Sequence, residues 1–170
     1  MAITGIDGLV YGVKDMAQAR RFYTDAGLTK TKSSRTATTF ETVSGARVVV
    51  RPRDAKGLPP AIQRGPTVRE VVWRVSSKRH LAAIGKELAR DRDVHEDSEG
   101  VLHAVDPAGI GMAFRMGKER PVESEITGSN APANKGRVDA RATYYGRATP
   151  QGISHVVFTV PDFDAQEAFY

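Results

Sequence analysis

GIDGLVYGVKDMAQARRFY, residues Gly5–Tyr23, and GISHVVFTVPDFDAQEAFY, residues Gly152–Tyr170, are two copies of one pattern. They align without a gap at a constant offset of 147 residues. Gly5/Gly152, Ile6/Ile153, Val10/Val157, Val13/Val160, Asp15/Asp162, Phe22/Phe169 and Tyr23/Tyr170 are identical. Leu9/Val156, Tyr11/Phe158 and Met16/Phe163 swap like for like, which marks duplication of a larger unit. In the first copy Ile6, Gly8, Val10 and Gly12 alternate with Leu9, Tyr11 and Val13, the pattern of a strand apolar on both faces. Asp15 stands at an N-cap, Met16, Ala19, Phe22 and Tyr23 recur at helical spacing, and Gly27 falls at the C′ position.

Outward from this opening, short β-rich runs follow: Leu28–Lys32, Thr36–Glu41 and Ala46–Arg51. Residues 52–66 hold four prolines and two glycines and read as a connecting loop. The pattern then resumes with a strand over Val68–Val75, a Ser-capped helix over Lys78–Arg90, and strands over Val94–Glu96, Val101–Val105 and Ile110–Met116. The first 116 residues thus read β-α-β-β-β twice, and Val72, Trp73 and Val75 fall where Val10, Tyr11 and Val13 stand. The fold class expected is α+β, with paired βαβββ modules forming a curved, partly open mixed sheet. Residues 1–116 form one complete domain, 117–150 a linker poor in large apolar residues, and 151–170 the start of a second domain of the same type, the chain reading as part of a longer one.

Composition narrows the function classes. The 170 residues are 40% hydrophobic and 26% charged, which fits a globular chain. The absence of cysteine excludes disulfide scaffolds, cysteine-ligated zinc and thiol nucleophiles, and fits a cytoplasmic protein. No run approaches the ~20 apolar residues of a membrane helix, and Met1–Asp7 lacks the look of a signal peptide. The net charge of +5 is spread along the chain without aromatic interleaving, so a solvated basic surface is expected and not nucleic-acid binding. GxSxG and P-loop motifs do not occur.

Openings of the form G-I-x-H-V-x-F-x-V-x-D…FY, set in paired βαβββ modules, resemble the vicinal oxygen chelate superfamily, which includes glyoxalase I, bleomycin-resistance proteins and the type I extradiol dioxygenases. The 147-residue offset to a second domain looks most like the two-domain extradiol dioxygenases. In that superfamily metal ligands come from the first and last strands of a module. The resemblance places these positions on Gly8, on Val49–Arg51, on Glu70 and on Ala113. Gly, Val and Ala carry no donor, so no metal is expected of residues 1–150. His155 stands where Gly8 stood. The resemblance makes it one of three ligands to Fe(II) in the intact parent protein, the others expected beyond Tyr170. It implies ring cleavage of a small aromatic diol by a protein that assembles as a homo-oligomer.

Two other readings stay open. A metal-free domain of this fold can act as a small-molecule binding module of the bleomycin-resistance kind, with Tyr11, Trp73 and Phe114 lining a cup. A glyoxalase-like lyase or isomerase needs more carboxylate ligands than these positions supply. Glu70 is otherwise a strand-edge carboxylate paired with Arg69 or Arg74. His95 and His103 lie on neighbouring strands around the turn Ser98–Gly100 and can face one another. Asp106-Pro107-Ala108-Gly109 reads as a tight turn, and Tyr144 and Tyr145 as linker residues that can dock on a domain.

Overall fold

The computed structural model of the chain describes residues 2–123 and 147–170. Its elements run β1 (Ile3–Val13), α1 (Met16–Asp25), β2 (Thr29–Ser33), β3 (Thr38–Glu41), β4 (Arg47–Pro52), β5 (Thr67–Val75), α2 (Lys78–Leu88), β6 (His95–Glu96), β7 (Leu102–Val105), β8 (Gly111–Met116) and α3 (Phe163–Phe169). The doubled β-α-β-β-β order read from the sequence is the order observed. Expected and observed bounds differ by a few residues at the ends, as for α2, where Ala89 is the C-cap.

One mixed sheet joins all eight strands in the order β2-β3-β4-β1-β5-β8-β7-β6. This order reads the same from either edge. In each half the first strand pairs parallel with the last, β1 with β4 and β5 with β8, and the two first strands meet antiparallel at the centre. Both central strands are therefore hydrogen-bonded along both edges. The edge strand β2, Thr29–Ser33, is exposed throughout and carries Lys30 and Lys32, charges that discourage further strand pairing.

Local capping fixes the helices. The Asp15 carboxylate accepts from the backbone N–H groups of Ala17 and Gln18 at the start of α1. At the other end Leu28 N–H donates to Tyr23 O and Gly27 N–H to Thr24 O, the paired bonds of a Schellman turn. Gly27 has φ +93°, a conformation that favours glycine. Ser77 caps α2 through His80 N–H.

Strand register sorts side chains onto two faces. Phe40, Val48 and Val50 pack beneath α1, and Val75, Leu102, Met112 and Phe114 beneath α2. The other face carries no helix. Cross-strand partners place Arg47, Gly8, Val72, Ala113, His103 and His95 in one row along it, and Val49, Val10, Glu70, Gly111 and Val105 in the next. Register shifts mark three irregularities in the β1–β5 ladder, leaving Thr4, Asp7 and Arg69 as the extra residues. The Arg69 guanidinium donates to Pro59 O at 2.6 Å and Arg53 O at 3.2 Å, tying the proline-rich loop onto this face. The loop sits so close that a Cβ at Gly111 would lie 2.6 Å from the Pro59 ring and 2.6 Å from Arg69 O.

The second copy behaves differently from the first. Its opening strand is expected over residues 152–160, yet no ladder forms there; α3 does form, capped by Asp162. A strand requires a partner, and the central partners β4 and β5 that serve β1 are already used by β1 itself. Residues 152–160 instead lie on the helix-bearing side, with Ile153, Val156 and Phe158 against Ile6, Leu9 and Val71. Val157, on the outer side, is 82% exposed. Backbone bonds from Val43 N–H to Pro150 O and Ser44 N–H to Gln151 O hold the segment's start. Tyr144 and Tyr145 lie outside the described residues. Among the described residues no helix is long and apolar enough to cross a membrane.

Candidate ligand site on the helix-free face

The positions assigned to metal ligands do converge. Gly8, Val49, Glu70 and Ala113 line one cavity of about 140 Å³ on the helix-free face, together with Arg47, His103 and Arg115. Glu70 and His103 also border an adjoining cavity of about 580 Å³, with Val10, Arg51, Lys56 and Pro59 in its walls.

Glu70 is 8% exposed, and its partner is neither Arg69 nor Arg74, the arginines expected from the sequence. Arg69 reaches the loop and Arg74 reaches Asp7 and Glu119. Glu70 Oε1 instead lies 2.8 Å from His103 Nδ1. The other imidazole nitrogen, Nε2, lies 3.3 Å from Asp97 Oδ2. Asp97 Oδ1 in turn accepts from Glu99 N–H and Val101 N–H, so the β6–β7 turn fixes it. His95 pairs with His103 across the ladder, and the rings stack at 4.9 Å between centroids, tilted by 14°. The hydrogen bond to Glu70 raises the His103 pKa above its ordinary value, against the opposing effect of burial, and Asp97 adds to the rise. Burial alone would raise the Asp97 carboxyl, but the Val101 amide, His103 and the Glu99 amide together hold it below its ordinary range.

Residues 2–123 do not fit a three-donor metal site. A Cβ on Gly8 would lie 2.7 Å from Arg47 O, so β4 fills the space a ligating side chain would use. Ala113 has no donor, and Glu70 is engaged by His103. Among the described residues no group of three or more His, Asp or Glu is arranged to hold a metal ion. His155 lies on the exposed side of its segment, with Nδ1 3.0 Å from Ser154 Oγ.

Tyr11, Trp73 and Phe114 sit on the opposite, helix-bearing face. Tyr11 lies 5.9 Å from Tyr23 between ring centroids, and burial pushes its hydroxyl pKa up. Trp73 and Phe114 pack in the α2 cluster. The sequence reading of His95 and His103 as facing residues matches their stacking, but the bridge to Glu70 was not visible there. It depends on two strands lying side by side through β8, which the register of β5, β8 and β7 alone reveals. The turn at Asp106 is as expected, closed by Gly109 N–H to Asp106 O at 3.0 Å.

No family model and no curated protein matches the chain. Solved structures do. A catechol 2,3-dioxygenase is similar over 100% of this chain and 55% of its own, at TM-score 0.65 and 16% identity. The Mn(II)-bound glyoxalase from Novosphingobium aromaticivorans is similar over 78% of this chain and 46% of its own, at TM-score 0.55 and 16% identity. Methylmalonyl-CoA epimerase from Mycobacterium tuberculosis is similar over 68% of this chain and 89% of its own, at TM-score 0.50 and 18% identity. The fold is thus one shared with these dioxygenase, glyoxalase and epimerase structures, paired βαβββ modules in one open mixed sheet. The chain spans about half the length of the dioxygenase it matches.

Proposed function

We propose that residues 2–123 are the metal-free structural unit of an extradiol-type ring-cleavage dioxygenase, and that the segment from Gln151 opens the unit that holds its Fe(II). The observation that carries this reading is the exchange at one repeat position, Gly8 in the first copy and His155 in the second. A neutral imidazole suits one arm of a two-histidine, one-carboxylate site. Gly8, packed against Arg47 O, supports a purely structural role for the first copy. Bound Fe(II) would supply Lewis acidity toward the two oxygens of a small aromatic diol. The first unit supplies the surface on which the second is built, through Ile153, Val156 and Phe158. Pairing of copies into a homo-oligomer belongs to the same reading.

The test is metal content. Residues 1–170, dialysed anaerobically against Fe(II), retain no more iron than a control protein. In the longer protein that this reading requires, His155→Ala loses the iron and the cleavage of catechol, whereas Glu70→Ala keeps both. Stoichiometric iron on residues 1–170, or iron lost on Glu70→Ala and kept on His155→Ala, overturns the reading.

A further inference from the structure

We propose that two copies of the 170-residue chain pair face to face through their helix-bearing sides, α1 of each copy lying against α3 of its partner. This gives the pairing of copies in the ring-cleavage reading a surface and a register, and its test makes no use of iron.

The helix-bearing side already accepts its own repeat. Ile6, Leu9 and Tyr11 stand at the repeat positions of Ile153, Val156 and Phe158, and all six lie in one apolar cluster. Contact between equivalent positions of two copies is the mark of a self-complementary, twofold surface. Residues 152–160 cover only part of that side. Phe22 on α1, Val157 on the segment and Phe163 on α3 remain 64%, 82% and 67% exposed. A groove of about 980 Å³ lies beside α1, walled by Tyr11, Val13, Met16, Ala19, Phe22 and Pro66. Exposed apolar residues grouped around a groove mark an interaction site.

Symmetry selects which elements meet. The strand order reads the same from either edge, with β1 and β5 at the centre. Helix α1 lies over the first half, above Phe40, Val48 and Val50, whereas α3 is held in the second half by Asp106 and Trp73. A twofold axis parallel to β1 and β5 therefore lays the first half of one copy on the second half of its partner. It sets α1 against the partner's α3 twice. It also sets Val157, whose segment packs on the central strands through Ile6, Leu9 and Val71, opposite the partner's Val157.

Charge favours the same pairing. Met16, Ala19 and Tyr23 seat α1 on the sheet, so Gln18, Arg21 and Phe22 face outward. Gln166, Phe169 and Tyr170 seat α3, so Phe163, Asp164 and Glu167 face outward. Each outward stripe offers one phenylalanine, with a cation on α1 and acids on α3. Lys14 adds a second cation at the groove. Glu167 stands at the repeat position of Arg20, so the sign there is reversed between the two copies of the pattern. Opposite charges across a contact fix its register. Pairing α1 with α1 would set Arg21 near Arg21, and pairing α3 with α3 would set acid on acid. Helix α2 offers α1 no better match: Lys78, Arg79 and Lys86 are basic, and Arg90 holds Glu87 at 2.8 Å.

The experiment uses the 170-residue chain in EDTA, its mass read by sedimentation equilibrium over a concentration series. Expected is a reversible dimer that weakens as salt is raised. Phe22→Ser and Phe163→Ser each raise the dimer dissociation constant by about tenfold or more. Arg21→Glu and Glu167→Arg each raise it by about fivefold or more. The two reversals together in one chain restore pairing, which a loss of folding would not do. The chain holds no cysteine, so Val157→Cys introduces a single thiol. On mild oxidation it joins two chains, because a disulfide forms where Cα atoms approach within about 4.4–6.8 Å. Ser98→Cys, on the β6–β7 turn at the edge of the sheet, does not. The proposal is overturned by a chain that stays monomeric at every concentration, the result expected if a second unit of a longer chain is what covers this face. It is also overturned by a dimer that the double reversal fails to restore, or by cross-linking at position 157 no faster than at position 98. None of these results bears on where iron is held, so the two readings fail separately.

Discussion

His103 Nδ1 and Glu70 Oε1, on strands separated by β8, meet at 2.8 Å across that strand. His103 pairs across the ladder with Ala113, and Glu70 with Gly111, so the bridge crosses β8 diagonally over two of its smallest residues. Ala113 is 0% exposed beneath it. The position at which metal-binding relatives are expected to carry a carboxylate is, in this chain, the floor under an ion pair.

The bridge predicts a pH signature. The His103 pKa is raised above its ordinary 6.5 in the folded state, so its contribution is fully present below that value and is lost as pH rises through the folded pKa. Asp97 is lowered below its ordinary 3.8, so its contribution is present above that value and is lost as pH falls through the folded pKa. From this pair alone, stability is greatest between the two windows and declines on alkalinisation from about pH 6.5. Glu70→Gln removes the largest cause of the His103 shift. The His103 pKa, read by NMR, should fall, and the decline in melting temperature between about pH 6.5 and 8 should flatten. An unchanged His103 titration in Glu70→Gln would show that the bridge does not set the pKa.

Attempts to install donors in the first unit should cost stability and yield no metal site. Gly8→Ala already brings a Cβ to 2.7 Å from Arg47 O and is expected to cost about 1–3 kcal/mol in urea unfolding, as overpacking does. Ala113→Glu buries a second carboxylate beside Glu70 and displaces His103, with an expected loss of about 3 kcal/mol or more. Iron or zinc measured at one equivalent in the Gly8→His, Ala113→Glu double variant would contradict this account.

The cap that closes α1 offers a smaller, cleaner test. Gly27 combines φ +93° with close approach of the Ala148 carbonyl. Gly27→Ala should cost about 1–2 kcal/mol from backbone strain alone, and it should also loosen residues 147–151, where Arg147 donates to Thr24 O. Asp15→Ala at the opposite end of the helix should lower stability by removing the N-cap and leave that segment's amide exchange unchanged. Equal exchange in both variants would mean that the segment is not seated on Gly27.

The sequence made the doubled module legible because the signals were local: strand alternation, the Asp15 cap, the Gly27 stop and a repeat that needs no structure to be seen. It also located Gly8, Glu70 and Ala113, which the sheet gathers around one recess. What it could not show was pairing across β8. The Glu70–His103 contact joins residues 33 positions apart, and the nearer arginines, Arg69 and Arg74, were drawn elsewhere by a bulge and by Asp7. The same limit explains residues 152–160. Their pattern is that of a strand, but a strand is a property of a pair, and the described residues give this one no ladder partner.

How the second copy seats on the first is testable through Trp73. Helix α3 docks by three contacts of different kinds: Gln166 Nε2 and the Tyr170 hydroxyl donate to Asp106 Oδ2, the Phe169 ring lies 4.3 Å from the Arg92 guanidinium carbon, and Tyr170 approaches Trp73 at 6.4 Å between rings. Asp106 also accepts from Ile110 N–H in its own turn, so Asp106→Ala would confound docking with the loss of the turn. Phe169→Ala avoids this. It removes the apolar anchor and the cation–π contact, the latter worth about 0.5–2 kcal/mol, and leaves the sheet intact. Expected are a red shift of Trp73 emission as water reaches the indole and faster amide exchange over residues 163–170. Exchange in β1, β4, β5 and β8 should stay as in the wild type. Slower proteolysis of the variant, or protection lost equally across β5 and α3, would show that α3 is part of the first unit's cooperative core instead of a separately docked element.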